Sequence, residues 1–326
     1  MQIVRETDID PAPLAGKRVA IIGYGNQGRA QALNLHDSGI DVVVGLRRGS
    51  GSVREVEAAG ILADPLEAAT ASADVVMLLT PDEVIGAVYR EIEPHLREGA
   101  ALGFSHGLAI HFHVIEPRSD LDVFMVAPKG PGTALRSLYQ EGKGMYALWA
   151  VAQDRSGHAR DITLAYGRAI GCARAGLIAS SFGEECESDL FNEHAVIWGP
   201  IPAIMAMGFE VLVQAGISPE VAYLECVGEL KLLAGLIEQR GPAAFREAIS
   251  NAAELGALLG GPRLIDESVR EKMRIILAEI RAGRFAEELQ REEASGYARL
   301  QKARAAARAG AMQETFERLG GAPEAS

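Results

Sequence analysis

The sequence predicts an α/β chain, with an N-terminal Rossmann-like, doubly wound sheet and an all-α C-terminal domain. Three observations carry this prediction. Short runs rich in β-branched residues alternate with helical stretches from residue 17 to about 180. A Gly-x-Gly-x-x-Gly loop separates the first strong strand from the first helix. Beyond residue 180 strand signals stop, and Ala/Leu/Glu-rich helical segments continue to residue 318. The expected division is 1–180 for the sheet domain and 181–326 for the helical domain.

Taken in order, "KRVAIIG", "DVVVGL", "DVVMLL", "GAALGFS", "DVFMVAP" and "MYALWAVA" read as strands, several of them apolar on both faces as a buried parallel sheet requires. "NQGRAQALNLHDSG", "DPLEAATAS" and "DEVIGAVYREIEPHL" have helical spacing and cap-like starts. The run "AVIWGPIPAIMAMGFEVLV" contains Pro, Gly and Glu, so it reads as a bundle-core helix pair rather than a membrane span. The last 28 residues, "RLQKARAAARAGAMQETFERLGGAPEAS", read as one surface helix and a frayed end.

Composition narrows the function classes. With 326 residues, 48% of them hydrophobic, the chain can bury a large core. A net charge of −12 argues against nucleic acid or an anionic membrane as partner. Cys172, Cys186 and Cys226 form no CxxC pair, and "MQIVRETDID" lacks the regions of a signal peptide, so a cytoplasmic location is expected.

Within "VAIIGYGNQGRAQALNL", Gly23 permits the tight turn, Gly25 lets the backbone approach a pyrophosphate, and Gly28 allows close helix–strand packing. The following helix start offers amide donors to the phosphates. After the next strand the chain reads Arg47, Arg48, Ser50 and Ser52 instead of an acidic residue. Guanidiniums and hydroxyls suit a 2′-phosphate, so NADPH is favoured, with NADH possible. The cofactor-contact set is Gly23, Tyr24, Gly25, Asn26, Gln27, Gly28, Arg47, Arg48, Ser50, Ser52, Pro81 and Gly132.

The stretch "EECESDLFNEH" puts Asp189 and Glu193 one helical turn apart, and "LECVGELK" does the same with Glu225 and Glu229. Like charges at that spacing weaken a helix. Both pairs sit among apolar residues, where buried carboxylates call for a counter-charge, and a divalent metal such as Mg²⁺ takes such ligands. His106 in "GFSHGLAIHF" and Lys129 in "VAPKGPG" fall just past adjacent strand ends, the edge where α/β proteins bind ligands.

These segments, with "ISNAAELG" and "GPRLIDESVREKMRIILAEIRAGRFAEE", together resemble the ketol-acid reductoisomerases of branched-chain amino-acid biosynthesis in their short form, collinear over nearly the whole chain. The resemblance implies two Mg²⁺ ions on Asp189, Glu193, Glu225 and Glu229, the second pair coming from the other subunit of an intertwined dimer. It implies active-site roles for His106 and Lys129, a catalytic as well as ligand role for Glu229, and contact of Ser250 with the substrate carboxylate. The implied reaction is alkyl migration in a 2-hydroxy-3-keto acid followed by reduction with NAD(P)H.

Several positions depart from the family pattern. Leu108 and Ala109 replace the usual Phe and Asn, Thr133 stands where His is common, and Gly228 replaces a histidine between two ligands. These changes suggest an alternative, a repurposed paralogue in natural-product biosynthesis with an altered pocket, such as one closing a cyclopropanol ring on a sulfonium diol acid. A further alternative is a metal-free hydroxyacid dehydrogenase with Lys129 as acid/base.

Overall fold

The computed structural model describes residues 3–321. The chain divides into two compact units, one ending at Ser188 and one beginning at Asp189.

The first unit is built on a nine-stranded sheet: β1 (Ile3–Val4), β2 (Arg18–Ile22), β3 (Asp41–Leu46), β4 (Leu62–Pro65), β5 (Val75–Leu78), β6 (Ala101–Phe104), β7 (Asp122–Pro128), β8 (Ala147–Gln153) and β9 (Leu177–Ala179), in the order β1-β9-β8-β7-β6-β5-β2-β3-β4. Strands β4, β3, β2, β5, β6 and β7 run parallel. Its helices are α1 (Asn26–Asp37), α2 (Val53–Ala58), α3 (Leu66–Ser72), α4 (Asp82–Ile92), α5 (Leu108–His111), α6 (Gly132–Gln140) and α7 (Ala159–Ala169). Strand β2 shows why the sheet is buried on both sides. Val19 and Ile21 enter one apolar cluster, and Ala20 and Ile22 enter the cluster on the opposite face.

The Rossmann-like sheet is as the sequence predicts, with three additions and one reversal. Strands β1, β4 and β9 were not expected; each has at most four residues and too short a pattern to register. Strand β8 pairs antiparallel to β7, with an irregularity at Val123/Phe124, so the sheet is mixed. The stretch "DPLEAATAS" divides between β4 and α3.

Helix α8 (Phe182–Ala195) runs through the division between the units. The second unit continues with α9 (Pro200–Gln214), α10 (Pro219–Tyr223), α11 (Leu230–Ala244), α12 (Asn251–Leu264), α13 (Glu267–Arg281), α14 (Arg284–Ala294), α15 (Ala298–Arg308) and α16 (Ala311–Arg318). Helix α11 is two segments meeting at Gly241, whose φ of +79° breaks the helix before Pro242. Helices α10 and α16 pack through Tyr223 and Phe316, and the Arg318 guanidinium donates to Glu220 at 2.9 Å. The C-terminal segment forms two helices rather than one, because a turn through Ala309 and Gly310 interrupts it; residues 322–326 of the expected frayed end lie outside the described residues.

The expected core helix pair is not met within one chain. By length and mean hydropathy (1.8) the run Phe182–Gln214 would also pass for a membrane span, yet only 6% of its most apolar window is buried. In α9 only Phe209 is fully buried, while Met207 and Val211 are 57% and 64% exposed. The helices among the described residues leave that apolar face uncovered.

Candidate active site

The phosphate loop is fixed by backbone approach. Gly23 has φ +98°, and a side chain there would stand 2.9 Å from the Leu79 carbonyl oxygen. A Cβ on Gly28 would collide with the Gly23 carbonyl, and one on Gly132 with the Asn26 carbonyl. The Asn26 side-chain oxygen accepts a hydrogen bond from the Gly132 amide, tying the start of α6 to the start of α1. A polar chain extends this tie. Gln27 donates to the Gly130 carbonyl (2.9 Å), and the fully buried Gln31 donates to Gln27 (3.0 Å) and to Ser105 Oγ (2.9 Å) while accepting from Tyr166 Oη (2.6 Å). Gly130 and Ser105 adjoin Lys129 and His106 in sequence, so α1 positions both strand ends.

At the carboxyl ends of β2, β5 and β6 lies a cleft of about 280 Å³, lined by Gly25, Gln27, Thr80, Pro81, Phe104 and His106 among others. Thr80 Oγ1 is buried in its wall and makes no hydrogen bond among the described residues. A cleft at this edge, bordered by Gly25 of the phosphate loop and offering an unpaired hydroxyl, fits a dinucleotide cofactor.

At the cleft's His106 end, Glu185 anchors a charged cluster. The carboxylate is 1% exposed and accepts from Lys129 Nζ at 3.0 Å, from the Gly107 amide at 2.7 Å and pairs with His106 Nδ1 at 2.9 Å. Burial pushes the Glu185 carboxyl up, but His106 and Lys129 outweigh burial and hold it below the usual carboxylate range. Burial likewise opposes charge on His106, yet hydrogen bonds with Cys186 and Glu185 and the Glu185 charge hold the imidazole well above its ordinary value. The outcome is one buried anion between two cations. Sequence reasoning paired His106 with Lys129 and missed Glu185. The available signal was its place between Phe182, Cys186 and Leu190, all buried, on an otherwise acidic helix.

After β3, Arg47 and Arg48 are exposed and Ser50 and Ser52 are half-buried. Ser50 Oγ accepts from the Ser52 amide at 3.3 Å. Arg48 Nη2 does not stand alone: it donates to Glu67 Oε1 at 2.9 Å, on the first turn of α3.

In the second unit, Asp189 (half-buried) and Glu193 (exposed) lie a turn apart on α8, as predicted. Glu225 and Glu229 are both exposed rather than buried, and the turn that spaces them, Leu224–Gly228, is a π-helix rather than an α-helix. A π-turn holds one extra residue per turn and is frequent at functional sites. Among the described residues, neither Glu225 nor Glu229 joins a group of three ligand atoms close enough for one ion. The four acids are all oxygen donors, the type hard divalent cations take. Ser250 caps α12, its hydroxyl accepting from the Ala253 amide at 3.2 Å.

The departures from the family pattern fall in unlike places. Leu108 and Ala109 are buried, and Ala109 packs in the same apolar cluster as Ile115 and Phe182, so its small side chain sits in the core and does not widen the cleft. Thr133 is exposed on α6. A Cβ on Gly228 would meet nothing nearer than Leu224 Cδ2 at 3.6 Å, so nothing in one chain requires glycine there.

Residues 13–176 match the family described as acetohydroxy acid isomeroreductase, NADPH-binding domain, and residues 182–322 match ketol-acid reductoisomerase, C-terminal domain. The chain belongs to the ketol-acid reductoisomerase family. It is also similar to the solved structure of an NADH-preferring ketol-acid reductoisomerase from an uncultured archean, at 40% identity and a TM-score of 0.95, covering 99% of this chain and 100% of that one. A semialdehyde dehydrogenase NAD-binding protein from Cupriavidus necator shares the fold, at 23% identity and a TM-score of 0.62, covering 82% of this chain and 99% of that one. The reductoisomerase is thus an NAD(P)-dependent oxidoreductase of this type, and its first unit is the nicotinamide-cofactor domain.

Proposed function

We propose that this reductoisomerase converts an acetohydroxy acid, a 2-hydroxy-3-keto acid, to a 2,3-dihydroxy acid by alkyl migration and reduction, with two Mg²⁺ ions and as a homodimer or higher homo-oligomer. The observation that carries the reading is the Glu185 carboxylate shared by His106 and Lys129 at the end of a dinucleotide cleft. When bound, magnesium would lower the pKa of the substrate hydroxyl and stabilise charge on the ketol oxygens, and the reduced nicotinamide would supply hydride.

Asp189, Glu193, Glu225 and Glu229 would hold the ions. The exposure of Glu225 and Glu229, and of the apolar residues around them, supports their being completed by a second copy. The chain's own proton chemistry centres on Glu185. With Nδ1 committed to that carboxylate, His106 can pass a proton at Nε2, and Lys129 Nζ can donate to an oxygen that gains charge. The Ser250 hydroxyl, which accepts from a backbone amide, retains its own proton to donate to a substrate carboxylate. Three free cysteines suit a reducing cytoplasm.

The test follows NADPH and NADH oxidation with 2-acetolactate, with and without Mg²⁺, in wild type and Asp189→Asn. Turnover that needs the metal and falls at least about 100-fold in the variant is expected. Turnover that survives chelation would overturn the metal assignment. Cofactor binding with no turnover of any acetohydroxy acid would overturn the substrate.

A further inference from the structure

We infer that Glu67 is a specificity-determining residue that restrains the enzyme's preference for NADPH by holding the Arg48 guanidinium. The inference rests on the cofactor part of the proposed function and deepens it. Sequence alone offers two arginines to a 2′-phosphate after β3 and no acidic residue. In three dimensions the missing acid is supplied from elsewhere. Strand β4 lies beside β3 in parallel, with Leu46 opposite Pro65, so the chain leaving β4 emerges next to the chain leaving β3. Glu67, two residues past that register pair, reaches Arg48 at 2.9 Å. The Arg48 hydrogen bond holds the Glu67 carboxyl below its usual range, so the pair is fully ionised at neutral pH.

The consequences differ for the two cofactors. A 2′-phosphate must take Arg48 from Glu67 and then sit near a like-charged carboxylate. A ribose bearing only hydroxyls meets no such competition, and a carboxylate can accept from a 2′-hydroxyl, as the usual acidic residue does in NAD-binding folds. One guanidinium of the two is therefore neutralised before any cofactor arrives.

The experiment measures dissociation constants of NADPH and NADH by cofactor fluorescence, without substrate, in wild type, Glu67→Gln, Arg48→Leu and the double variant. Arg48 is exposed and Glu67 half-buried, and neither is part of the apolar core, so all four proteins fold, which their melting temperatures check. Glu67→Gln should tighten NADPH relative to NADH by about threefold, the scale of an exposed charge pair. The gain should shrink in about 1 M salt. Arg48→Leu should weaken NADPH and abolish most of the response to Glu67→Gln. An unchanged cofactor ratio in Glu67→Gln overturns the inference, as does an undiminished shift when Arg48 is leucine. Because no ketol acid is present, these outcomes are independent of whether acetolactate is the substrate.

Discussion

At the scale of single residues, the chemistry proposed for this reductoisomerase centres on a carboxylate that the paired acids of α8 disguise. Glu185 is one of five acids between residues 184 and 193, yet it alone is buried and bonded to both His106 and Lys129. Replacing it with glutamine keeps the shape and removes the charge. Glu185→Gln is expected to lower kcat about 100-fold or more, as loss of a proton-handling group does, with a smaller effect on NADPH affinity. Steady-state kinetics beside cofactor titration separate the two. The sequence makes the phosphate loop legible because Gly23 and Gly28 each answer a steric demand that no other residue meets, while Gly25 leaves open space over the loop. It hides Glu185 and Glu67, because their partners lie 79 residues away at His106 and 19 residues away at Arg48, and no local spacing encodes such pairings.

At the scale of elements, α1 and α6 form the frame on which the cofactor edge is hung. Their approach depends on Gly132, where any Cβ would meet the Asn26 backbone. Gly132→Ala is expected to cost about 1–3 kcal/mol of stability and to weaken cofactor binding, since the phosphate loop must shift to relieve the collision. Chemical denaturation and NADPH titration check both. Long parallel strands such as β3 and β7 were readable from their unbroken apolar runs, whereas β1, β4 and β9 are short strands placed by their neighbours rather than by their own pattern. The π-turn at Leu224–Gly228 was not readable either, because the same residues satisfy α-helical spacing. What the sequence did convey was the recurrence of acids four apart; what it could not convey was how that turn is wound.

At the scale of the molecule, the second unit exposes more apolar surface than an isolated soluble chain usually carries. Trp198, Leu232, Leu258, Leu259 and Leu264 are each more than 60% exposed. Under the proposed dimer these residues are covered by another copy, and stability becomes linked to protein concentration. The melting temperature should rise as the enzyme is concentrated, and specific activity should fall on dilution as Glu225 and Glu229 are lost from the site. A melting temperature and activity independent of dilution, with a monomeric sedimentation coefficient, would contradict the assembly. The sheet adds a consequence of another kind. The residues proposed to meet the cofactor differ in how much of the fold depends on them: Gly23, Gly28 and Gly132 are wedged between backbones, while Arg48 follows β3 in a loop and Glu67 stands on the first turn of α3 after β4, next to the open edge of the sheet. Substitution of either charged residue removes no buried apolar surface. Over evolutionary time the choice between the two nicotinamides can therefore drift back and forth in a lineage, while the capacity to bind a dinucleotide at all stays locked into the backbone.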